Sequence, residues 1–298
     1  MLGSARISLG LLWLANLHWK VPPNFGQDSG SGLYKYSAAV ARHSTFAPFT
    51  WINEHVILPN FQFFGWITLV SETLLAALLI IGYRTKIVAL LGALMTVPIM
   101  LSVLYYDRAD EWAWSYLLMF FGHIFAYASD AGAHLGVDGV LRRGPAAARR
   151  GLRSVGITAV VVGTLGLFVS RSVAFAGSQA ALLGSDAGFV NDDGTLTRRW
   201  ELKFVWFNPL WALLTIALGA LVIVGTRQRL ATRVGALGFA ALAVVILVVQ
   251  HFDYVRDDGV IQVVSTASNV AMWGAFAMAV LLLDRVQRRG TDHAAASE

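Results

Sequence analysis

Long apolar runs separated by short charged turns dominate the chain. They fall at about 6–22, 62–82, 87–106, 112–130, 155–174, 205–225, 234–251 and 261–283. A bilayer core takes roughly 20 apolar residues per helix, so the pattern predicts eight transmembrane helices. The first run is the weakest, because Asn16, His18 and Lys20 crowd its end. Its basic start followed by an apolar stretch also fits a secretory signal. The nearest small-x-small site, Ala39 to Ala41, lies well beyond it, so the reading is an uncleaved anchor.

The runs repeat. An offset of 143 residues lays Gly82-Tyr83-Arg84-Thr85-Lys86 on Gly225-Thr226-Arg227-Gln228-Arg229, Gly92-Ala93-Leu94 on Gly235-Ala236-Leu237, and Phe64 on Phe207. Each half opens with one helix, crosses a long external segment (about 23–61 and 175–204) and closes with three tightly linked helices. The expected architecture is therefore all-α, eight transmembrane helices as two tandem four-helix bundles. The expected divisions are 1–142, a basic linker at 143–153, and a diverged repeat at 154–298. Four spans per half would keep both copies in one orientation, with the pseudo-symmetry axis along the membrane normal. The copies differ chemically, since Glu72 falls on Thr215.

Composition agrees with a membrane class: 56% of residues are hydrophobic, 14% are charged and mean hydropathy is +0.60. The net charge of +5 would suit nucleic acid in a soluble protein, so its location decides. With the N-terminus inside, 14 basic residues fall on the cytoplasmic side and nine outside. Twelve acids fall outside and five inside, which gives the sides about +9 and −3. The bias places both termini in the cytoplasm of a multi-pass plasma-membrane protein and argues against nucleic-acid binding. Cysteine is absent, which excludes disulfides, iron–sulfur ligation and any other cysteine-ligated cofactor on this chain.

Glu72 is the one acid left within a span. An intramembrane carboxyl raises the cost of insertion by roughly 2.5–3.5 kcal/mol, so it is expected to face the bundle interior with a partner. Thr68, Ser71, Glu72 and Ala76 share one small, polar helix face. His123, in the fourth run, falls at a similar depth, whereas His18 and Lys20 fall nearer the outer surface and Arg6 nearer the inner one. A mid-depth Glu72 and His123, with Trp66, Phe120, Phe121 and Tyr127 near in sequence, suit a quinone headgroup and the movement of its protons. The alternative is that both are satisfied polar groups that fix helix packing. Asp130, His134 and Asp138 have i, i+4, i+8 spacing, but Gly132 and Gly136 argue against one unbroken helix, and no metal site is expected. Residues 33–61, which carry Tyr34, Tyr36, Phe46, Phe49, Trp51 and Ile52 among polar residues, read either as a piece lying over the bundle mouth or as a solvated loop. The sequence at 189–207 carries an Asp-Gly turn between strand-like runs, which fits a hairpin.

Several of these stretches together resemble the DoxX/DoxD family of small prokaryotic membrane proteins. They are Arg6, Gly10 and the His18-Trp19-Lys20 end of the first run, SETLLAALLIIGYRT at 71–85 with Glu72, Gly82 and Arg84, and GAHLGVD at 132–138 with Gly132, Gly136 and Asp138. The likeness covers about residues 5–142, and the long segment before Glu72 is similar to the DoxD branch. The resemblance implies a four-helix membrane bundle in a respiratory complex, DoxD being a subunit of a thiosulfate:quinone oxidoreductase. Here His134 stands where the family often has a basic Arg or Lys, and the second half is an addition to the minimal unit.

Residues and resemblance together lead to an integral membrane subunit of a quinone-linked redox complex in a prokaryotic plasma membrane. Glu72 and His123 are its expected catalytic residues, and His18, Lys20 and Trp66 its expected substrate-binding residues. Membrane or periplasmic proteins are the expected partners besides the lipid bilayer. The alternatives are a non-catalytic scaffold and a proton-coupled transporter.

Overall fold

The computed structural model describes residues 1–17, 20, 22–30, 32–43, 46–104, 113–170, 184–190, 196–202, 209–249, 254–257, 260–263 and 266–295. His18 lies outside the described residues. The chain divides into two compact units, Met1–Gly136 and Val137–Glu298.

The first unit contains α1 (Leu2–Asn16), α2 (Gly32–Arg42), α3 (Ala47–Ile52), α4 (Phe61–Ile81), α5 (Thr85–Leu104) and α6 (Ala113–Ala128). A π-helical turn, Asn53–Ile57, and a 3-10 turn, Leu58–Asn60, join α3 to α4, so residues 47–81 form one helical rod. The apolar run read at 62–82 is thus the end of a longer helix, and residues 33–61 are largely helical. Within the unit α1 packs on α4 and α6, and α5 packs on the same two helices.

The second unit contains α7 (Val137–Arg143), α8 (Pro145–Ser170), α9 (Pro209–Gly225), α10 (Arg229–Val249) and α11 (Thr266–Ala295). Here α8 packs on α9 and α11, and α10 packs on the same two. In each unit, therefore, the first long helix touches the second and fourth, as does the third. The close crossings also correspond. A Cβ on Gly10 would lie 2.7 Å from Ile80 Cγ1 and 3.1 Å from the Ala76 carbonyl, and one on Gly156 would lie 2.7 Å from both Ile223 Cγ1 and the Gly219 carbonyl. Ala76 and Ile80 fall on Gly219 and Ile223 under the 143-residue offset.

Among the described residues, five helical stretches, Ala47–Ile81, Thr85–Leu104, Pro145–Leu167, Arg229–Val248 and Ala267–Arg289, are long and apolar enough to cross a membrane. Trp114–Ala128 and Leu210–Gly225 are shorter apolar helices, and α1 has 15 residues, about 22 Å at 1.5 Å per residue. The stretch expected as a linker, 143–153, spans the end of α7 and the start of α8, broken at Gly144 with φ +81°. The physical reason is local: Pro145 suits a first helical position, and the alanines and arginines that follow are strong helix formers. The boundary between units accordingly falls at 136/137.

Two short antiparallel hairpins also occur in this helical chain. β1 (Gly184–Val190) pairs antiparallel with β2 (Leu196–Leu202), from Gly184 opposite Leu202 to Val190 opposite Leu196. β3 (Tyr254–Asp257) pairs antiparallel with β4 (Val260–Val263), so the run read as a helix at 261–283 begins in a strand.

Candidate functional site

Glu72 is buried on the face of α4 that also buries Thr68 and Ala76, as i, i+4 spacing requires. Its partners come from α1 and the turn beyond. Lys20 Nζ lies 2.7 Å from Glu72 Oε2, and Asn16 Nδ2 donates to Oε1 at 3.4 Å. Lys20 also donates to the Asn16 carbonyl at 2.8 Å, which satisfies one of the carbonyls left open at the end of α1. Glu72 is 0% exposed and Lys20 2%, so both charges are withdrawn from solvent and depend on each other.

The pair forms part of the wall of a cavity of about 220 Å³. Helix α2 contributes Tyr36 and Ser37, the π-helical turn contributes Asn53, and α6 contributes Tyr116. Much of the remaining wall is apolar, including Phe64 and Met95. Pro98, inside α5, lies in the wall, where its ring displaces a helical hydrogen bond and lets the backbone bend. Asn53 is 1% exposed and donates to the Phe49 carbonyl at 2.9 Å. A π turn is an uncommon device that recurs at functional sites, and here it turns a buried amide toward the cavity. The arrangement can hold a flat, largely apolar molecule with one or two polar edges beside a proton-bearing pair.

His123 belongs elsewhere. The Trp13 indole donates to His123 Nε2 at 2.8 Å, and the imidazole fills the space over Gly92, where a Cβ would lie 2.3 Å from the ring. With Nε2 accepting, a neutral imidazole carries its proton on Nδ1, an atom with no partner among the described residues. No hydrogen bond joins His123 to Glu72; each takes its partner from α1. The described contacts do not bring the two expected residues together: Asn16 and Lys20 hold the carboxylate, and Trp13 holds the imidazole. Trp66 also stands apart: it is 40% exposed and packs edge-on against Phe25, with ring centroids 5.7 Å apart. Phe121 and Tyr127 are exposed on α6.

Four of the residues that carried the family likeness, Arg6, Gly82, Gly132 and Gly136, converge at the other end of α1. The buried Arg6 guanidinium donates to the carbonyls of Leu79, Ile80 at 2.9 Å, Leu135 at 2.9 Å and His134 at 3.4 Å. It thereby caps the end of α4 and ties it to the chain following a 3-10 turn, Ala131–Ala133. Gly82 has φ +66°, and a Cβ there would lie 2.7 Å from the Arg6 guanidinium carbon and 2.8 Å from Gly136 Cα. A Cβ on Gly136 would in turn meet the Gly132 carbonyl at 2.6 Å. Arg84 is exposed and lies over the Tyr83 ring, 5.9 Å from its centroid, and Asp138 occupies the first turn of α7. Asp130, His134 and Asp138 are not on one helix: the backbone is left-handed at Asp130 and extended at His134. No group of three or more metal-ligating side chains occurs among the described residues.

Sequence reasoning missed Asn16, Tyr36, Asn53 and Tyr116 as site residues, and Trp13 as the partner of His123. The i, i+3, i+7 spacing of Trp13, Asn16 and Lys20 was the available signal. No family model matches the chain, and neither a curated protein nor a solved structure does.

Proposed function

We propose that the chain is an integral membrane subunit of a quinone-linked redox complex, similar to DoxD-type proteins. In this reading it makes eight crossings of a prokaryotic plasma membrane as two tandem four-helix bundles, with both termini cytoplasmic. The observation that carries the functional reading is the buried Lys20–Glu72 pair on the wall of a mostly apolar cavity. The duplication is supported by the equal neighbour pattern in both units and by the matching crossings at Gly10 and Gly156.

A quinone, when bound, supplies two-electron chemistry coupled to proton uptake at its oxygens. The chain's own part is to hold and hydrate-proof the headgroup. Tyr36, Asn53 and Tyr116 offer polar groups to the edges of a flat ring, and the apolar wall excludes water. Glu72 and Lys20 hold an exchangeable proton beside it, and the Asn16 amide that donates to Glu72 Oε1 orients the carboxyl. Arg6, Gly82, Gly132 and Gly136 keep α1, α4 and the turn after α6 in register, which sets the position of Asn16 and Lys20 against Glu72.

The test is purification in mild detergent, extraction of bound lipid for quinone, and assay of quinone reduction in wild type, Glu72→Gln and Asn53→Ala. The reading expects co-purifying quinone in wild type, less of it in Asn53→Ala and slower reduction in Glu72→Gln. Wild type without quinone, or all three proteins with equal content and rate, overturns it. Stable protein partners without redox activity would then favour a scaffold, and uptake driven by a proton gradient in vesicles a transporter.

A further inference from the structure

At one end of the second unit α7 closes with Arg142 and Arg143, α8 opens with Arg149, Arg150 and Arg153, and α11 carries Arg285 and Arg289. These three helices meet there. A Cβ on Gly151 of α8 would lie 3.2 Å from Leu283 of α11 and 3.4 Å from Val140 of α7. Small and apolar side chains thus form the contact, and the seven arginines are exposed around it. Residues 137–153 and 283–289 contain eight arginines and two acids, Asp138 and Asp284. Asp284 is buried and bonded to the eighth arginine, Arg288. Packing so much charge of one sign together is unfavourable without anions nearby.

One face of α8 says what kind of anion. Arg149, Arg153, Ile157, Val161 and Leu165 recur at i+4 spacing, and all five are exposed. The face is basic for one turn and apolar for the next two. Helix α11 has the reverse order along the chain, with exposed Leu281 before Arg285 and Arg289. On α7, Leu141 is 43% exposed beside Arg142 and Arg143, a pairing that suits a short helix at headgroup depth. A soluble phosphate would have no use for the apolar part of these faces. A phospholipid fits both parts.

We propose that this end of the second unit binds an anionic phospholipid, with its phosphate on Arg149, Arg153 and Arg285 and an acyl chain along Ile157, Val161 and Leu165. Guanidinium groups bind phosphate oxygens in pairs, which suits arginine over lysine here. The site requires membrane embedding but not the quinone reading, and it lies within the other unit from the cavity.

The test uses the full chain in mild detergent, offered equal amounts of phosphatidylglycerol and phosphatidylcholine, with retained lipid counted by native mass spectrometry. Wild type should retain phosphatidylglycerol preferentially, and added salt should weaken that preference. A variant with Arg149→Gln, Arg153→Gln and Arg285→Gln should retain it about tenfold less or worse. Lys86→Gln, an exposed basic residue of the first unit, should behave as wild type. Equal retention of the two lipids by wild type, or a preference insensitive to salt, overturns the proposal without reliance on any variant. Displacement of the lipid by millimolar inorganic phosphate would reassign the arginines to a soluble anion and overturn it too.

Discussion

The second long helix of the first unit carries Glu72, that of the second unit carries Thr215 at the equivalent position, and both side chains are 0% exposed. Glu72 takes an amide from α1 and a lysine from the chain just beyond it, and borders a cavity. Thr215 donates to the Trp211 carbonyl at 2.7 Å and accepts from the Trp273 indole at 2.9 Å. The same pattern recurs on the first helix. Four residues before Gly10 stands Arg6, and four before Gly156 stands Leu152; both are 0% exposed. One bundle thus retains buried charge at two places where the other is neutral. Burying an ion pair is a poor way to gain stability, because desolvation consumes most of the attraction. The charged version therefore points to a use beyond packing, whereas the neutral version is sufficient as structure.

The largest expected effect breaks the charged half of this comparison. Lys20→Met leaves the Glu72 carboxylate buried beside a cavity wall with, among the described residues, only the long Asn16 contact. Removing one partner of a buried pair costs about 3–5 kcal/mol, and replacing both with apolar residues is often neutral or better. Thermal unfolding in detergent should therefore show a strongly destabilised Lys20→Met and a Lys20→Met/Glu72→Met protein close to wild type. A single variant as stable as wild type would mean that water in the cavity, not Lys20, satisfies Glu72.

Arg6→Met should come next. It removes charge-assisted bonds to four carbonyls, and hydrogen bonds to charged groups are worth about 1.5–3 kcal/mol. Because Leu152 occupies the corresponding place in the second unit, methionine has a precedent for fitting such a slot. Hydrogen exchange should rise at Gly82 and Tyr83, whose amides bond to the end of α4, while α8 and α9 stay protected. Loosening in the second unit instead would sink the claim that Arg6 acts locally. Thr215→Val is expected to cost less, about 1–3 kcal/mol, since it strands one buried indole N–H.

How far the sequence could be read follows from the range of each interaction. Helix positions came through clearly because a 3.6-residue period and apolar runs are local signals, and the inward face of Glu72 followed from the same period. The 143-residue offset was legible because a Gly-basic turn is short and unusual. Lys20 was read as lying above Glu72 in depth, yet it bonds to it directly, because nothing local fixes where α1 ends relative to α4. The helical rod from Ala47 was hidden by Pro48, Asn53 and Pro59, residues that ordinarily signal loops and here sit in a first turn, a π turn and a 3-10 turn. The second hairpin had a signal, Asp258-Gly259 between β-branched residues, which the apolar run after it obscured.

The smallest effect sharpens the comparison at the tryptophans. Trp13 in the first unit donates to the nitrogen of an imidazole, and Trp273 in the second donates to a hydroxyl. Trp13→Phe keeps most of the ring volume and removes only the donor, so the expected loss is about 1 kcal/mol. The informative measurement is the imidazole itself. In wild type the donated bond to Nε2 fixes the proton of a neutral His123 on Nδ1; without it both tautomers become accessible. Nitrogen NMR of labelled histidine should show one tautomer in wild type and a mixture in Trp13→Phe. An unchanged single tautomer would mean that the ring is oriented by the space over Gly92 and not by the indole, in which case Trp13 would count as packing alone.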